Sequence, residues 1–346
     1  MFAGLGSVDA DIERDATPLP LTSSIVASGS LSAMQLVRGS EALPRSDAPS
    51  VVTVGFFDGV HLGHRAVCDT TVARARARGV RSVAVTFDRH PREILTPGQE
   101  PRLLTTVERK AALIEDSGID VLLVLEFTPE FSRVPAEAFV AEVLVDELHA
   151  VHAAMGANFT FGYKAMGTVA ALQDIGAPLG LTAEAVPLLE VGGRTISSTS
   201  VREALSAGDL AWPLVALGRR WRLDGEVISG HGRGKGLGFP TANLRTWPRL
   251  LLPGQGIYAG VAELGGRRYR TAIDVGTNPT FGTEPLHTEA FLLDYEGDDI
   301  RGQPLSIEFW ERLRDEVRYE SVDELVVAIA ADVDRTRALV PDEAVS

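Results

Sequence analysis

The sequence has little of what disulfide scaffolds, membrane proteins and secreted proteins depend on. It holds one cysteine, Cys68, so no disulfide can form within the chain, and we expect this side chain to be buried among apolar neighbours. No apolar run approaches the ~20 residues of a membrane-spanning helix; the longest, at 121–125, reads VLLVL. The first 20 residues lack the basic start and apolar block of a secretory signal. We therefore expect a cytoplasmic protein without membrane association.

Positively charged residues are also fewer than negatively charged ones. The chain has 33 Lys and Arg against 47 Asp and Glu, which gives a net charge of −14. A negative field of this size repels a nucleic-acid backbone, so we expect no nucleic-acid partner. It does not exclude small phosphorylated ligands, because backbone N–H groups and Mg²⁺ can hold phosphates locally. The sequence does not indicate an oligomeric state.

The pattern of apolar, polar and turn-forming residues changes along the chain, and 346 residues suffice for two domains. Residues 1–33 are polar and acidic, which predicts a disordered extension. β-Branched runs then alternate with helical patterns, and this alternation predicts a doubly wound, Rossmann-like α/β domain over about 34–217. The runs that we expect to be buried strands are VVTVGF (51–56), SVAVTF (82–87), VLLVLEF (121–127) and LTAEAVP (181–187).

From about residue 218 the strand-like segments follow one another without helical spacers, separated by Gly-, Pro- and Asn-rich breaks. This pattern predicts a small antiparallel β-barrel over 218–346. A single helix at about 321–340 closes the chain, with Ser321 and Glu324 as its capping box. Its predicted apolar stripe consists of Val322, Leu325, Val326, Ile329 and Val333.

Two histidines follow the first buried strand of the α/β domain. His61 and His64 lie three residues apart at the predicted start of a helix, where both rings can face one phosphate group. Gly55 and Gly59 flank the preceding turn and allow backbone N–H groups to approach phosphate oxygens. Paired histidines in a turn can also be plain surface or capping residues. Their position favours a nucleotide site, since open α/β sheets bind ligands at the carboxyl ends of their strands.

Two further segments could contribute to this site. GANFTFG (156–162) is flanked by glycines and contains Asn158, and ISSTSVREAL (196–205) gathers hydroxyl groups before Arg202. Ser198, Thr199 and Arg202 could bind triphosphate oxygens, with arginine as a forked donor. The alternative for the SST run is a simple helix N-cap.

GFFDGVHLGH, TFDRHP, FTPEFSRVPAEAFV, GANFTFG and ISSTSVR together resemble the adenylyltransferase half of bacterial bifunctional riboflavin kinase/FAD synthetases, in the HxGH nucleotidylyltransferase superfamily. The resemblance implies that His61 and His64 act catalytically on ATP phosphates. Arg89 departs from the family, which usually has proline before His90-Pro. The ATP-binding residues that the resemblance implies are Gly55, Phe57, Asp58, Gly59, His61, His64, Asn158, Ser198, Thr199 and Arg202.

The barrel segment VISGHGRGKGLGFPTANL (227–244) combines a glycine-rich loop with a threonine and an asparagine. It is not a Walker A loop, because Lys235 is followed by Gly236, and a plain hairpin tip is the alternative. Thr241 and Asn243 are two residues apart, so in an extended segment both side-chain oxygens could reach one Mg²⁺. Glu289 falls among alternating apolar residues. We expect it to face inward and to need a partner or a role as general base, the alternative being a solvent-facing strand end.

GHGRGKGLGFPTANL, GIYAG, VGTNPTFG and EAFLLDY resemble the riboflavin kinase half of the same family. The resemblance implies that Gly232, Gly234, Gly236, Thr241 and Asn243 bind ATP. It also implies that Thr241 and Asn243 hold Mg²⁺ and that Glu289 activates the ribityl hydroxyl. The expected ligands of the whole chain are riboflavin, FMN, FAD, ATP, ADP and pyrophosphate.

Two other functions remain open from the sequence. The first domain could transfer a nucleotidyl group to another phosphorylated acceptor, as the relatives that act on pantetheine phosphate or glycerol phosphate do. The chain could also be a flavin-binding regulator without turnover, although the chemical residues of both sites are present.

Overall fold

The computed structural model describes residues 34–39, 48–230, 236–277 and 286–345. The predicted extension, residues 1–33, lies outside the described residues. A parallel sheet with helices comes first and a closed antiparallel barrel follows, which confirms the fold class expected from the sequence.

Ten strands lie in the described residues of the first domain. They are β1 (Gln35–Arg38), β2 (Ser50–Val54), β3 (Arg81–Phe87), β4 (Val121–Leu125), β5 (Ala150–Gly156), β6 (Thr160–Phe161), β7 (Gly167–Thr168), β8 (Thr182–Val186), β9 (Glu190–Val191) and β10 (Arg194–Thr195). Six of them form a parallel sheet in the order β1-β4-β3-β2-β5-β8, and the pairs β6–β7 and β9–β10 are short hairpins. The chain moves from β2 through β3 to β4 and then returns to the other side of β2 with β5. The strand order therefore reverses between β2 and β5, which is where such sheets open a ligand crevice.

The described helices follow the predicted pattern. They are α1 (Leu62–Arg78), α2 (Arg92–Leu95), α3 (Val107–Glu115), α4 (Ala136–Ala138), α5 (Val169–Gly176), α6 (Ser198–Ser206), α7 (Ala211–Leu217) and α8 (Val322–Leu339). α4 runs on as a π-helical segment, Phe139–Glu147. Cys68 in α1 is fully buried, as expected.

Burial along the sheet follows strand position. β2 and β4 are buried along their whole length, since both faces are covered. The prediction of a buried strand at 181–187 is wrong in one respect: β8 pairs only with β5, and Thr182 and Ala185 are exposed. An edge strand has no neighbour on one side, so a run of small apolar residues there does not guarantee burial.

The barrel is closed by six antiparallel strands in the order β11-β12-β15-β14-β13-β16. These strands are β11 (Arg222–Ile228), β12 (Ala242–Thr246), β13 (Gly256–Leu264), β14 (Arg267–Gly276), β15 (His287–Leu292) and β16 (Pro304–Arg314). The extended PTAN segment leads into β12, where Ala242 and Leu244 point into the barrel core. Thr241 and Asn243 alternate with them and therefore lie on the outer surface.

One apolar cluster spans the junction of the two domains. Leu104, Val201 and Leu205 of the first domain pack in the same cluster as Leu223 and Phe309 of the barrel. Backbone hydrogen bonds join the domains as well: Leu103 donates to the Arg249 carbonyl and accepts from Leu251, both at 2.8 Å. The segment before α3 is thus held by the barrel.

The terminal helix follows most of its predicted stripe. Leu325, Val326, Ile329 and Val333 are partly buried, whereas Val322, in the first turn, is 54% exposed. The most buried positions of α8 are Asp332 and Thr336. Arg314 of β16 forms a forked ion pair with Asp332, with the shorter contact at 2.7 Å, so a polar contact anchors the helix beside its apolar stripe.

The capping box of this helix is half formed. Ser321 accepts from the Glu324 N–H at 3.2 Å, but the Glu324 carboxylate accepts from Glu320 instead of Ser321.

Candidate active sites

The two histidines lie at the reversal point of the sheet. His61 is the N-cap of α1, the helix that follows β2, and its Nδ1 accepts the His64 backbone N–H at 3.2 Å. The two rings stack with centroids 3.6 Å apart and an angle of 18° between their planes. Gly63 between them leaves little room, since a Cβ there would lie 3.1 Å from the His61 ring. The pair is therefore a packed unit at the start of a helix, where anions bind well.

Both histidines are neutral near pH 7. Burial and the nearby Arg219 lower the pKa of His61 to about 4, and burial together with His61 and Lys110 lowers the pKa of His64 well below its ordinary value. Because Nδ1 of His61 is an acceptor, its ring proton sits on Nε2. His61 thus offers a neutral N–H donor, which can bind a phosphate oxygen without being deprotonated.

The Asp58 carboxylate holds the turn between β2 and α1, just before His61. This carboxylate, 2% exposed, accepts from the backbone N–H groups of Leu104 and Thr105 at 3.0–3.1 Å and from Arg202 at 2.6 Å. Thr105 also accepts from the Gly59 N–H at 3.1 Å. These bonds fix the turn that carries the histidines, and a direct ATP contact by Asp58 stays a prediction.

The predicted hydroxyl cluster lies next to this turn. Ser198, the first residue of α6, donates to the Asp58 carbonyl at 2.9 Å, whereas Thr199 is exposed. Arg202, one turn further along α6, also donates to the Arg102 carbonyl at 2.7 Å. The N-cap of α6 is Ser197, with a full capping box to Ser200, so capping explains only one residue of the SST run. The structure therefore brings Ser198 and Arg202 to the histidine turn.

The other predicted ATP-site residues follow the ends of two strands, β2 and β5. Phe57 is buried, has φ +53° and packs edge-on against His64 at 5.3 Å, and a Cβ on Gly55 would strike its ring. Asn158 is exposed just after β5, the strand next to β2 across the reversal point. No hydrogen bond ties Asn158 to the histidines within the described ranges. The two strand ends nevertheless place these residues at one edge of the sheet.

Arg89 and His90 have separate surroundings. Arg89 pairs with its neighbour Asp88 at 2.7 Å. His90 packs edge-on against Phe56 at 4.8 Å, and its Nδ1 accepts the Arg92 N–H. Burial and the charge of Arg202 lower the pKa of His90 to about 4. His90 is thus a third neutral imidazole on this edge.

Sequence reasoning missed two cations at this site. Arg219, just after α7, donates to the carbonyls of Gly59 and Val60 at 2.5 and 3.0 Å. Lys110 of α3 is 1% exposed, and its ammonium lies 4.0 Å from the centroid of the Phe56 ring. Neither belongs to a local motif. The sequence offers one signal for such a cation: Lys110 is a lysine at an apolar position of a helix.

The second site lies on the outer surface of the barrel. Asn243 of β12 and Asp274 of β14 both stand directly opposite Glu289 of β15, so the three side chains point to the same face. The expectation that Glu289 faces inward is wrong, because its neighbours Thr288 and Ala290 fill the interior. The Glu289 side chain is nevertheless only 19% exposed, which also differs from a solvent-facing strand end.

Glu289 has defined partners on this surface. The Thr241 hydroxyl donates to its Oε2 at 2.6 Å, and the His287 ring lies 3.3 Å from its Oε1. Gly230 sits against Asn243, since a Cβ there would be 2.1 Å from the amide nitrogen. Gly236 is exposed, whereas Gly232 and Gly234 lie outside the described residues. Hydroxyl, amide and carboxylate oxygens thus converge here, the donor set that Mg²⁺ prefers.

Asp274, which the sequence did not point to, stands beside Glu289 on this surface. Burial, Glu316 and Glu289 raise its pKa to about 7, and its Oδ1 is buried without a hydrogen-bond partner in the described structure. The sequence alone could not reveal this, because only the register of β14 against β15 sets Asp274 beside Glu289. When Asp274 is protonated, it places no negative charge beside the Glu289 carboxylate.

The fold and the two sites define a two-domain phosphate-transfer enzyme class: neutral imidazoles at a parallel-sheet switch point, and an oxygen-rich row on a barrel. The family model for FAD synthetase matches residues 43–200, and the model for riboflavin kinase matches residues 217–340.

Curated relatives match both halves at once. The Pseudomonas fluorescens bifunctional riboflavin kinase/FMN adenylyltransferase is 38% identical over 88% of this chain and 98% of its own length. The Haemophilus influenzae protein of the same name is 33% identical over 88% and 99%. This chain belongs to the bifunctional riboflavin kinase/FMN adenylyltransferase family.

A solved structure shares the complete fold. A Streptococcus pneumoniae chain described as a macrolide-efflux protein superposes with a TM-score of 0.79 at 28% identity, covering 88% of this chain and 99% of its own. Within the described residues of the present chain, none of the helices is long and apolar enough to cross a membrane.

Proposed function

We propose that this chain phosphorylates riboflavin to FMN with ATP and then adenylylates FMN to FAD with a second ATP, releasing pyrophosphate. The observation that carries the proposal is the 38% identity to a bifunctional relative across 98% of that relative, because it spans both domains. We assign the adenylyl transfer to residues 34–217 and the kinase reaction to residues 218–346. A cytoplasmic location stays a prediction.

In the adenylyl transfer, an FMN phosphate oxygen bonds to the α-phosphorus of ATP while the bond to the pyrophosphate oxygen breaks. No protein nucleophile is needed, so the site must align the reactants and stabilise the developing charge. We assign these tasks to His61 and His64 at the start of α1, with Asn158, Ser198 and Thr199 as further contacts. Their support comes from the stacked imidazoles and the strand reversal beside them. Arg202 holds the turn through Asp58, and we assign it a further contact to the phosphates.

In the kinase reaction, the ribityl 5′-hydroxyl attacks the γ-phosphorus of ATP and ADP leaves. We assign Glu289 as the base that takes the hydroxyl proton. Its partly buried carboxylate and its hydrogen bond from Thr241 favour this role over a purely solvated one. Asn243 stands beside it in register.

The oxygen donors of the barrel site suit a magnesium ion. Thr241 and Asn243 would hold it together with ATP phosphates, which is the usual arrangement because Mg²⁺ keeps few protein ligands. The ion would neutralise phosphate charge during transfer. Among the residues that the structure describes, no group of three acidic, His or Cys side chains forms a cage for a metal, in agreement with a cation shared with the nucleotide.

A chromatographic time course tests the proposal directly. Purified protein is incubated with riboflavin, ATP and Mg²⁺, and we expect FMN to rise first and FAD to follow. FMN without FAD would assign another acceptor to the first domain. Bound flavin without conversion would indicate a regulator instead of an enzyme.

Two pairs of variants test the separation of the sites. His61→Ala or His64→Ala should abolish FAD formation from FMN and leave FMN formation intact. Glu289→Ala or Asn243→Ala should abolish FMN formation and leave FAD formation intact when FMN is supplied. Loss of both activities from a folded variant would contradict separate sites.

A further inference from the structure

Lys110 is a buried lysine at the edge of the sheet that carries the histidines. It lies in α3 and is 1% exposed. Its ammonium donates to the Thr86 hydroxyl at the end of β3, at 3.2 Å, and rests over the Phe56 ring just after β2. The Thr86 hydroxyl in turn donates to the Phe56 carbonyl at 3.1 Å. The side chain therefore reaches the carboxyl ends of β2 and β3, the side of the sheet that carries the histidines.

Within the part of the chain that the structure describes, the ammonium of Lys110 forms no ion pair with a carboxylate; its polar contact is the Thr86 hydroxyl. The acidic groups that act on it are Asp58, Asp88 and Glu108, which raise its pKa at longer range, but burial outweighs them and brings the pKa to about 8. A cation taken out of water without a partner costs stability. Packing alone gives no reason to keep a lysine here.

The ammonium is close enough to influence the histidine pair. Its charge contributes to the lowered pKa of His64, after burial and His61. The Phe56 ring also contacts His90. A phosphate that binds at His61 and His64 would therefore feel the field of Lys110 through the buried protein interior, where charges act strongly.

We propose that Lys110 is an electrostatic positioning residue for adenylyl transfer, whose buried charge attracts the phosphates of ATP and FMN to the histidine pair without contacting them. The inference rests on the adenylyltransferase function proposed above. Phosphate anions supply a counter-charge that the described residues do not place beside the ammonium.

Substitution by methionine keeps the length of the side chain and removes the charge. For Lys110→Met we expect kcat/KM for FAD formation from FMN to fall at least about tenfold, with FMN formation from riboflavin unchanged. We also expect the urea midpoint of unfolding to rise, because an unpaired buried charge has been removed. A merely structural lysine would give the opposite stability change. Lys164→Met, at an exposed lysine, serves as the matched control and should alter neither quantity.

A pH profile of the unmodified enzyme provides a second readout that does not depend on a variant folding. FAD formation should decline above about pH 8 with loss of one proton, as Lys110 loses its charge. Lys110→Arg should keep its charge and move this decline to higher pH, whereas Lys110→Met should lack it.

The outcomes separate the two proposals. An unmodified enzyme that makes no FAD from FMN and ATP overturns the proposed function, and the role of Lys110 with it. An active enzyme whose Lys110→Met variant keeps both its rate and its alkaline decline overturns the role of Lys110 alone.

Discussion

Gly63, between the two histidines, shows how one hydrogen atom in place of a methyl group can matter at the residue scale. It is the second residue of α1, where alanine favours helix formation by about 0.5–1 kcal/mol over glycine. A Cβ there, however, would press on the His61 ring from 3.1 Å. We expect Gly63→Ala to leave the free energy of unfolding unchanged or slightly higher, and to slow FAD formation about 10- to 100-fold because the ring is displaced.

The measurement compares FAD formation with FMN formation in the same preparation. The kinase activity of the barrel is the internal control and should not change. A Gly63→Ala protein with full FAD formation would show that the observed position of the His61 ring is not required.

Gly230 plays the equivalent part on the barrel. A Cβ at this position would overlap the Asn243 amide, whose side chain must then rotate away. We expect Gly230→Ala to slow riboflavin phosphorylation about 10- to 100-fold and to spare FAD formation from supplied FMN. Both rates can be followed by chromatography. Retention of the kinase rate would remove Asn243 from the proposed site.

At the scale of elements, the pairing of β14 with β15 sets two carboxylates side by side. Because the pKa of Asp274 rises from 3.8 to about 7 on folding, the folded state binds more protons than the unfolded chain between these values. The free energy of unfolding therefore falls as the pH rises through this window. We expect Asp274→Asn to raise it by on the order of 2 kcal/mol at pH 8 and to have little effect near pH 4.

Tryptophan fluorescence during urea unfolding measures this effect. Three of the four tryptophans, Trp221, Trp247 and Trp310, belong to the barrel or directly adjoin it, so most of the signal reports on that domain. An equal effect of Asp274→Asn at both pH values would contradict a proton held by Asp274.

At the scale of the whole molecule, the barrel side of the chain holds the histidine turn in place. Arg219 follows α7 and supports the Gly59 and Val60 carbonyls, while Trp221 donates to the Leu104 carbonyl at 3.2 Å. Leu104 in turn donates its N–H to Asp58. Residues from both sides of the domain junction therefore support the proposed adenylyltransferase site.

This junction predicts that Arg219→Ala slows FAD formation. Hydrogen bonds from a charged group contribute about 1.5–3 kcal/mol each, so a loss of about 10- to 100-fold is expected, with the kinase rate unchanged. Arg220→Ala is the matched control, since Arg220 donates instead to the Trp310 carbonyl. Equal losses in both variants would point to general damage at the junction.

The sequence by itself determined the order of the two domains, most strands of the sheet and the helix start at His61, and it predicted His61, His64, Thr241 and Asn243 as site residues. These features depend on periodicity, capping and local motifs, which a short window contains. Glu289 was predicted from its residue type and the family resemblance. The face of the strand on which it lies could not be predicted, because alternating apolar neighbours do not say which face of a strand is the core.

Only the tertiary structure brings Lys110, Arg219 and Asp274 next to the proposed sites. Each acts across a large separation in sequence: Lys110 reaches Phe56, Arg219 reaches Gly59, and Asp274 stands opposite Glu289. The register of two strands and the packing of a helix under a sheet determine such neighbours. The charge states of these groups follow from burial and nearby charges, which do not exist until the chain has folded.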